Sequence, residues 1–424
     1  MSPLDSKAVL QGRRSRHSAT LILGIAVSLI CLAGMLLYLW LLALAGGAAA
    51  GIDGCVGFVV ALVAAIIPAG VLVPLILMLD RLEPEPGWVL FFAFVWGAGV
   101  AVVVSLLLNT WGFAAITVPL FGQAVGDFLG TSAVAPLVEE SAKGMVLLLL
   151  LWRRRNEIDT FTDGVVYAGM VATGFAFTEN ILYFLSAFFN GSLIVTFAIR
   201  GIIAPFGHPI YTAMIGIGVA YAATRPGFAR LAAPVVGWVL AVLLHGMWNA
   251  STYFGWAGLG LAYLVLFFVL IGILALASYD RRGQVQAIAH HLPPYIPTGL
   301  VSPADITMLS TLKGRRRARD WAARSAGAKG REAMREYQLA ATELALMHKK
   351  IAAGLRREDW EVRRDAFLAL MHTSRDAFLG RVARPVTPGW AERPTDSGFL
   401  RRADFAHVIA QARAPQEQPP VQGR

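Results

Sequence analysis

The sequence is poor in charged residues and nearly free of cysteine. Only 15% of its 424 residues are Asp, Glu, Lys or Arg, whereas 56% are hydrophobic. A water-soluble globular protein needs more polar surface than this, so the composition predicts a polytopic membrane protein. Cys31 and Cys55 lack the spacing of metal ligands or of a disulfide framework, and we interpret them as packing residues.

Glycine-rich nucleotide-binding motifs are also missing. The sequence contains neither a P-loop nor the fingerprint of dinucleotide-binding folds, so a nucleotide-driven transporter has no support. The net charge of +10 lies largely at the predicted cytoplasmic face and in the C-terminal tail. We therefore expect the lipid bilayer, and not nucleic acid, to be the partner of these basic residues.

Eight apolar stretches are long enough to cross a bilayer. They predict an all-α polytopic membrane bundle of about eight transmembrane helices, followed by a helical tail. The predicted spans are residues 19–45, 56–79, 88–108, 131–152, 164–189, 193–222, 231–254 and 257–279. The segment 111–130 is too weak for a further span, and we expect an outer loop or an interfacial helix there.

Every second loop lacks lysine and arginine. Basic residues occur in the N-terminal segment, in "DRLEPEPG", in "RRRNEID", in "TRPGFAR" and after Asp280, and the loops between these segments have none. The positive-inside rule therefore predicts that both termini lie in the cytoplasm.

Changes in composition divide the chain into five predicted segments. They are a basic N-terminus (1–18), a membrane bundle (19–280, core 131–254), a proline-containing linker (281–304), a basic helical tail (305–412) and a disordered end (413–424). The tail is either a regulatory or partner-binding module, or an appendage whose arginines touch anionic lipid headgroups.

Polar side chains inside the predicted spans are costly and mark a candidate site. At 1.5 Å per residue, their depths below the outer edge are ~12 Å for Glu139, ~15 Å for Glu179, ~11 Å for Arg200, ~22 Å for His208, ~14 Å for His245 and ~8 Å for Asn249. Four helices thus bring polar groups to one level, which predicts a site in the outer half of the bilayer.

Helical spacing adds to this expectation, because residues four apart share one face. Such pairs are Glu139 and Lys143, Phe175 and Glu179, His208 and Thr212, and His245 and Asn249. Each helix therefore has a polar side that can face inward. Pro205 and Pro209 flank His208 and predict a broken helix beside its imidazole.

Carboxylates and histidines together suit hydrolysis. Both are zinc ligands, and a catalytic zinc needs three protein ligands, an open position for water and a further carboxylate as base. Lys143 or Arg200 can act as counter-ion to one carboxylate, and Asn249 can donate a hydrogen bond to a developing oxyanion. A structural ion pair between Glu139 and Lys143 is the simpler alternative.

Four motifs occur together in the order found in one protease family. They are "EESAK" from Glu139, "FAFTEN" from Phe175, "GHPIYTAMIGIGVA" from Gly207 and "HGMWN" from His245. In this respect residues 131–254 resemble the PrsW-type intramembrane proteases, a branch of the CAAX-prenyl-protease-like membrane enzymes. "DGVVYAG" at Asp163 and the Phe-x-x-x-Glu element are closer to the PrsW branch, and the tail lies outside the resemblance.

The resemblance implies peptide-bond hydrolysis in or near a bacterial plasma membrane. The implied partners are membrane-anchored protein substrates such as anti-sigma-factor-like regulators, and the implied site residues are Glu139, Glu140, Glu179, His208 and His245. Our hypothesis is that Glu139 or Glu140 activates a water and that Asn249 stabilises the tetrahedral intermediate. Glu179, His208 and His245 would bind a metal, with zinc as the expected ion. Supporting roles fall to Lys143, Arg200 and Asn180.

Three alternatives remain open at the level of sequence. In a metal-free protease, a glutamate would be the base, and a histidine with Asn249 would form the oxyanion site. In a proton-coupled transporter, the same carboxylates would relay protons. In an inactive scaffold, the bundle would bind membrane helices without cleaving them.

Overall fold

The computed structural model describes residues 19–79, 85–154, 158, 160–225, 227–354 and 359–380. These residues form helices and contain no strand, so the predicted all-α membrane bundle is confirmed. The chain divides into two compact units between Asp280 and Arg281. The predicted N-terminal segment 1–18, the distal tail from residue 381 and the predicted disordered end 413–424 lie outside the described residues.

The membrane unit contains ten helices in its described part, the last of which continues past the unit boundary. They are α1 (Ala19–Ala50), α2 (Gly54–Leu77), α3 (Gly87–Phe121), α4 (Gln123–Leu129), α5 (Ala135–Arg154), α6 (Phe161–Phe189), α7 (Leu193–Phe197), α8 (Gly207–Thr224), α9 (Ala229–Ser251) and α10 (Gly255–His291). Helix α10 thus extends into the segment for which the sequence predicts a linker.

Six helical stretches among the described residues are long and apolar enough to cross a membrane by length and composition. They are Leu21–Ala50, Gly54–Leu77, Gly87–Phe121, Phe161–Phe189, Leu193–Thr224 and Ala229–His291. Helix α5 is not among them, and it carries Glu139, Glu140 and Lys143. The charged residues of α5 therefore need partners from neighbouring helices of the protein.

Helix α6 is buried along most of its length and packs against α2, α3 and α8. Its contact with α8 depends on two glycines, because a Cβ atom on Gly164 or Gly216 would collide with the carbonyl oxygen of the other. Small residues allow this close approach of membrane helices. The approach holds Glu179 of α6 and His208 of α8 on facing elements.

Helix α3 includes a π-helical turn, Trp96–Ala101, at its contact with α5 and α6. Two hydrogen bonds join the helices at this level: Trp96 Nε1 donates to the carbonyl of Ala142 (3.1 Å), and Thr178 Oγ1 donates to the carbonyl of Ala98 (2.8 Å). Such turns are frequent at functional sites. Here the turn fixes α5 and α6 just beside their carboxylates.

The segment 111–130, for which an outer loop or an interfacial helix was expected, is a helical hairpin. Helix α3 continues to Phe121, Gly122 makes the turn with a φ of 77°, and α4 follows. Gly126 lies against Val118, and Gly130 lies against Phe113. This close packing of the two arms supplies the stability that the weak hydrophobic pattern did not indicate.

Two helix ends are set by local sequence. The break predicted beside Pro205 is present, because the π-helical turn Ala198–Ile203 ends there and α8 begins at Gly207. Thr160 is the N-cap of α6, and Asp163 completes a capping box by accepting from the backbone N–H of Thr160 (2.8 Å).

The second unit is a separate helical domain in the described part of the tail. Its helices are α11 (Pro303–Leu309), α12 (Leu312–Ala352) and α13 (Trp360–Phe378), preceded by a 3-10 helix, Pro293–Thr298. The core includes Tyr337, Leu344 and Phe367, which are fully buried. Polar contacts such as Arg375 to Asp305 (2.8 Å) join α13 to α11.

Candidate active site within the membrane unit

A cavity of about 590 Å³ lies inside the membrane unit. Residues from eight of the ten helices line it, including most of the predicted site residues. Among them are Ser105, Asn109, Glu139, Glu179, Asn180, Arg200, His208, Tyr211, His245 and Asn249. The structure thus brings together groups that are more than 100 residues apart in the sequence.

Lys143 is the central cation of the cluster, and its side chain is fully buried. Its Nζ atom lies 2.9 Å from Glu140 Oε1, 3.4 Å from Glu139 Oε2 and 3.0 Å from His208 Nδ1. Because an ammonium group can only donate, His208 Nδ1 accepts this hydrogen bond. Lys143 thereby links α5 to α8 and neutralises part of the carboxylate charge.

The two adjacent glutamates have different surroundings. Glu140 is fully buried and does not line the cavity. One of its oxygens accepts from Lys143 and from His245 Nδ1 (3.0 Å), and the other accepts from Thr212 Oγ1 (2.8 Å). Glu139 faces the cavity, where Asn109 Nδ2 lies 3.4 Å from its Oε1 atom. Only Glu139 of the pair can therefore meet a ligand in the cavity.

His245 is held by Glu140 in one orientation. Since a carboxylate accepts, Nδ1 of His245 donates to Glu140, and Nε2 is left facing Glu139 at 3.9 Å from its Oε2. A carboxylate that fixes one ring nitrogen and frees the other is typical of histidines that ligate metals.

Glu179 is the centre of a second charged group at the cavity. Its Oε2 atom accepts from Arg200 Nη2 and from His208 Nε2, the latter at 2.9 Å. Arg200 also donates from Nε to the side-chain oxygen of Asn180 (2.8 Å). Arg200 thus contacts the Glu179 carboxylate directly, and Asn180 contacts Arg200.

Three predicted residues lie close enough together to hold a metal ion. One ligand atom each from Glu139, His208 and His245 lies within 4.8 Å of the others. Two imidazoles and one carboxylate are a known catalytic zinc donor set. In this group Glu139 takes the position that the sequence analysis gave to Glu179, which contacts the group only through His208.

Asn249 lines the cavity, as expected, but is also tied to the scaffold. Its Nδ2 atom donates to the backbone carbonyl of Thr131 at 2.9 Å. One amide hydrogen therefore remains for any ligand.

Two further residues of the cavity wall have no counterpart among the predicted site residues. Asn109 contacts Glu139 from α3, and Tyr211 packs its ring on that of His245 with centroids 4.9 Å apart. Asn109 follows a run of apolar residues, and Tyr211 stands three residues after His208. These spacings were the only signals of either residue in the sequence.

A helical membrane bundle with carboxylates and histidines gathered at an internal cavity defines the class of intramembrane hydrolases. Residues 85–275 match the family model of the PrsW family intramembrane metalloproteases. This match covers a little under half of the chain, and it supports an intramembrane protease of that family. No solved structure shows significant similarity to it.

Several curated relatives carry the name Protease PrsW. The chain is 27% identical to the protein of Oceanobacillus iheyensis over 228 residues, which are 52% of this chain and 95% of the relative. It is 27% identical to that of Clostridioides difficile over 209 residues, 48% of this chain and 85% of the relative. For the protein of Geobacillus kaustophilus the identity is 28% over 188 residues, 44% of this chain and 76% of the relative.

Proposed function

We propose that this protease cleaves membrane-anchored protein substrates, with anti-sigma-factor-like regulators as the expected class. The site would lie in the outer half of a bacterial plasma membrane, with both chain termini in the cytoplasm. The observation that supports the proposal most directly is the convergence of Glu139, His208 and His245 at a cavity large enough to admit an extended peptide segment.

Glu139 is the proposed general base. It takes a proton from the water whose oxygen attacks the scissile carbonyl carbon, and it then delivers this proton to the leaving amide nitrogen. Glu140 is assigned a positioning role, because its oxygens are already occupied by Lys143, His245 and Thr212. Asn249 retains one amide hydrogen with which to donate to the developing oxyanion.

Three residues at the site offer donor atoms for a zinc ion. Both ring nitrogens of His208 are engaged in this structure, so His208 would have to give up its hydrogen bond to Glu179 in order to bind the metal. His208, His245 and one oxygen of Glu139 would supply the donor set, which leaves the other oxygen of Glu139 to act as base, and Glu140 anchors His245 as metal sites commonly require. Glu179 stands beside His208 as a further carboxylate. Bound zinc would supply Lewis-acid polarisation of the scissile carbonyl and of the attacking water.

Proteomics of membranes tests the proposed activity. Fragments of membrane proteins are compared between cells that express the wild type and cells that express Glu139→Gln. We expect shortened membrane proteins that depend on the wild-type carboxylate. Identical fragment sets would refute proteolysis by Glu139. Solute uptake driven by a pH gradient in liposomes, without any cleavage, would support the proton-coupled transporter instead.

Elemental analysis tests the role of the metal. Purified wild type is expected to contain about one zinc per chain, and His208→Ala and His245→Ala are expected to lose it because each removes one of three ligands. Full activity of strictly metal-free wild type would contradict the zinc proposal. That result would leave the glutamate protease in which a histidine with Asn249 binds the oxyanion.

A further inference from the structure

The hydroxyl group of Tyr211 is buried and has no hydrogen-bond partner among the described residues. An unpaired buried polar group destabilises the folded state, and in a native structure it calls for an explanation. Two other unpaired atoms belong to residues of the same cavity wall, Ser105 Oγ and Asn109 Oδ1. Of the three residues, only Tyr211 packs directly against both histidines.

The surroundings of Tyr211 are those of the candidate active site. Its ring stacks on His245 with an interplanar angle of 19° and meets the edge of His208 with centroids 5.9 Å apart. Helix α8 places Tyr211 three residues after His208 and directly before Thr212, which donates to Glu140. The phenol is thus held on the cavity wall beside both imidazoles.

The position beside Gly207 keeps this hydroxyl in place. A Cβ atom at Gly207 would lie 2.8 Å from the hydroxyl oxygen of Tyr211, so a larger residue would displace it. Gly207 also lines the cavity. The absence of a side chain at Gly207 therefore leaves space for the Tyr211 hydroxyl at the cavity wall.

We propose that Tyr211 is a further catalytic residue, whose O–H donates a hydrogen bond to the substrate carbonyl oxygen as negative charge develops on it. The proton stays on the tyrosine oxygen, so the step forms no covalent bond. The hydrogen bond to the substrate would satisfy the donor that the protein leaves unpaired. Asn249 is the partner donor, with one of its two amide hydrogens already given to Thr131. This inference rests on the proposed function.

The substitution Tyr211→Phe tests the proposal, because it removes the hydroxyl and keeps the ring against His245. The probe is the membrane protein whose fragment depends most strongly on Glu139 in the proteomic comparison, purified and mixed with the full-length chain in liposomes. We expect kcat to fall by about 10²–10³-fold, as when one oxyanion donor is removed, with KM changed less than about twofold. The melting temperature should not fall, because the hydroxyl has no partner to lose.

Tyr221→Phe is the matched control. It makes the same chemical change on the same helix, but Tyr221 does not line the cavity and stacks on Phe161 instead. This control should retain wild-type kcat and KM. A kcat of Tyr211→Phe within about threefold of wild type would overturn the inference, as would a loss accompanied by a lower melting temperature or lower zinc content.

The outcomes for the two proposals are separate. If wild type cleaves, Glu139→Gln does not and Tyr211→Phe is fully active, then the proposed function stands and the role of Tyr211 is refuted. If wild type and Glu139→Gln give the same fragments, the proposed function fails and the role of Tyr211 fails with it.

Discussion

The two units of this chain use charged side chains in different ways. In the membrane unit, Lys143 and Glu140 form an ion pair in which both side chains are fully buried. In the tail unit, Arg331 and Asp320 form a pair whose side chains are 59% and 42% exposed. A buried charge that loses its partner is costly, whereas exposed ion pairs contribute about 0–1 kcal/mol.

This difference in the burial of charged groups indicates that the functional site lies in the membrane unit. The pair of Arg331 and Asp320 sits on the surface of a domain whose core is apolar, so this pair is dispensable. The membrane cluster instead keeps three carboxylates, two histidines and two cations at a cavity. Hydrophobic residues would fill such a space more stably, so the cluster is best explained by chemistry.

The largest effect is expected for Glu139→Gln. The substitution preserves size and removes the base, so kcat should fall by about 10³-fold or more while the protein still folds. Cleavage of the substrate in liposomes measures this. Glu332→Gln makes the same change at an exposed position of the tail and should be as active as wild type. A Glu139→Gln protein with more than about a tenth of wild-type activity would contradict the assignment.

The next largest effect is expected for Lys143→Met. Removing this cation leaves the buried carboxylates of Glu139 and Glu140 without a neutralising charge, which should cost about 3–5 kcal/mol of stability. Thermal unfolding of purified protein in detergent measures the loss. Adding Glu140→Gln should restore part of the stability, because the uncompensated charge is then removed.

Lys349→Met is the corresponding control in the tail. Lys349 is exposed, and its replacement should change the melting temperature very little. If Lys143→Met and Lys349→Met melt alike, then the membrane ion pairs are not buried as described.

Much of the contrast between the polar cluster of the membrane unit and the tail unit was predictable from the sequence. Apolar runs identified the spans, and the i, i+4 spacing of Glu139, Lys143, His208 and Thr212 indicated inward polar faces. Neighbouring residues on a helix point about 100° apart, so Glu139 and Glu140 had to face different surroundings. Which of them meets the cavity depends on how α5 is rotated against its neighbours, and one sequence does not contain that information.

The residues that sequence reasoning missed have roles set by tertiary contacts. Asn109 and Tyr211 look like ordinary members of their helices, and only the packing of α3 and α8 brings them to the cavity. The hairpin at Gly122 was missed for the same reason, because its stability comes from contact between its two arms. Local sequence patterns predicted the helices and their polar faces. They did not predict how each helix is rotated about its axis against its neighbours.

A smaller effect is expected for Arg375→Gln in the tail. Arg375 donates to Asp305 and to the carbonyl of Leu300 (3.1 Å) and is partly exposed, so we expect a loss of about 1–2 kcal/mol. Faster hydrogen exchange in α11 would show this loss of stability. The protease activity of the variant should be unchanged. Arg331→Ala, at the exposed pair, should cost about 0.5 kcal/mol or less. Equal losses in the two variants would refute the ranking by burial.

The smallest expected effect is a pH dependence of the stability of the tail unit, caused by His348. Burial, with the charges of His291 and Arg364, lowers the pKa of His348. Below about pH 6.5 the unfolded chain therefore binds more protons than the folded one, so stability is full above that pH and is lost as the pH falls towards the native pKa. The group is partly exposed, so the effect should be less than about 1 kcal/mol after solvent screening.

His348→Gln tests this assignment. Glutamine cannot titrate but can still accept from the hydroxyl of Tyr295, which lies 2.7 Å from His348 Nε2. Hydrogen exchange of α12, corrected for its intrinsic pH dependence, should become faster between pH 7.5 and pH 5 in the wild type and change less in the variant. An identical pH response in both proteins would show that other groups destabilise the tail in acid. The contrast with the membrane unit would then rest on ion pairs alone.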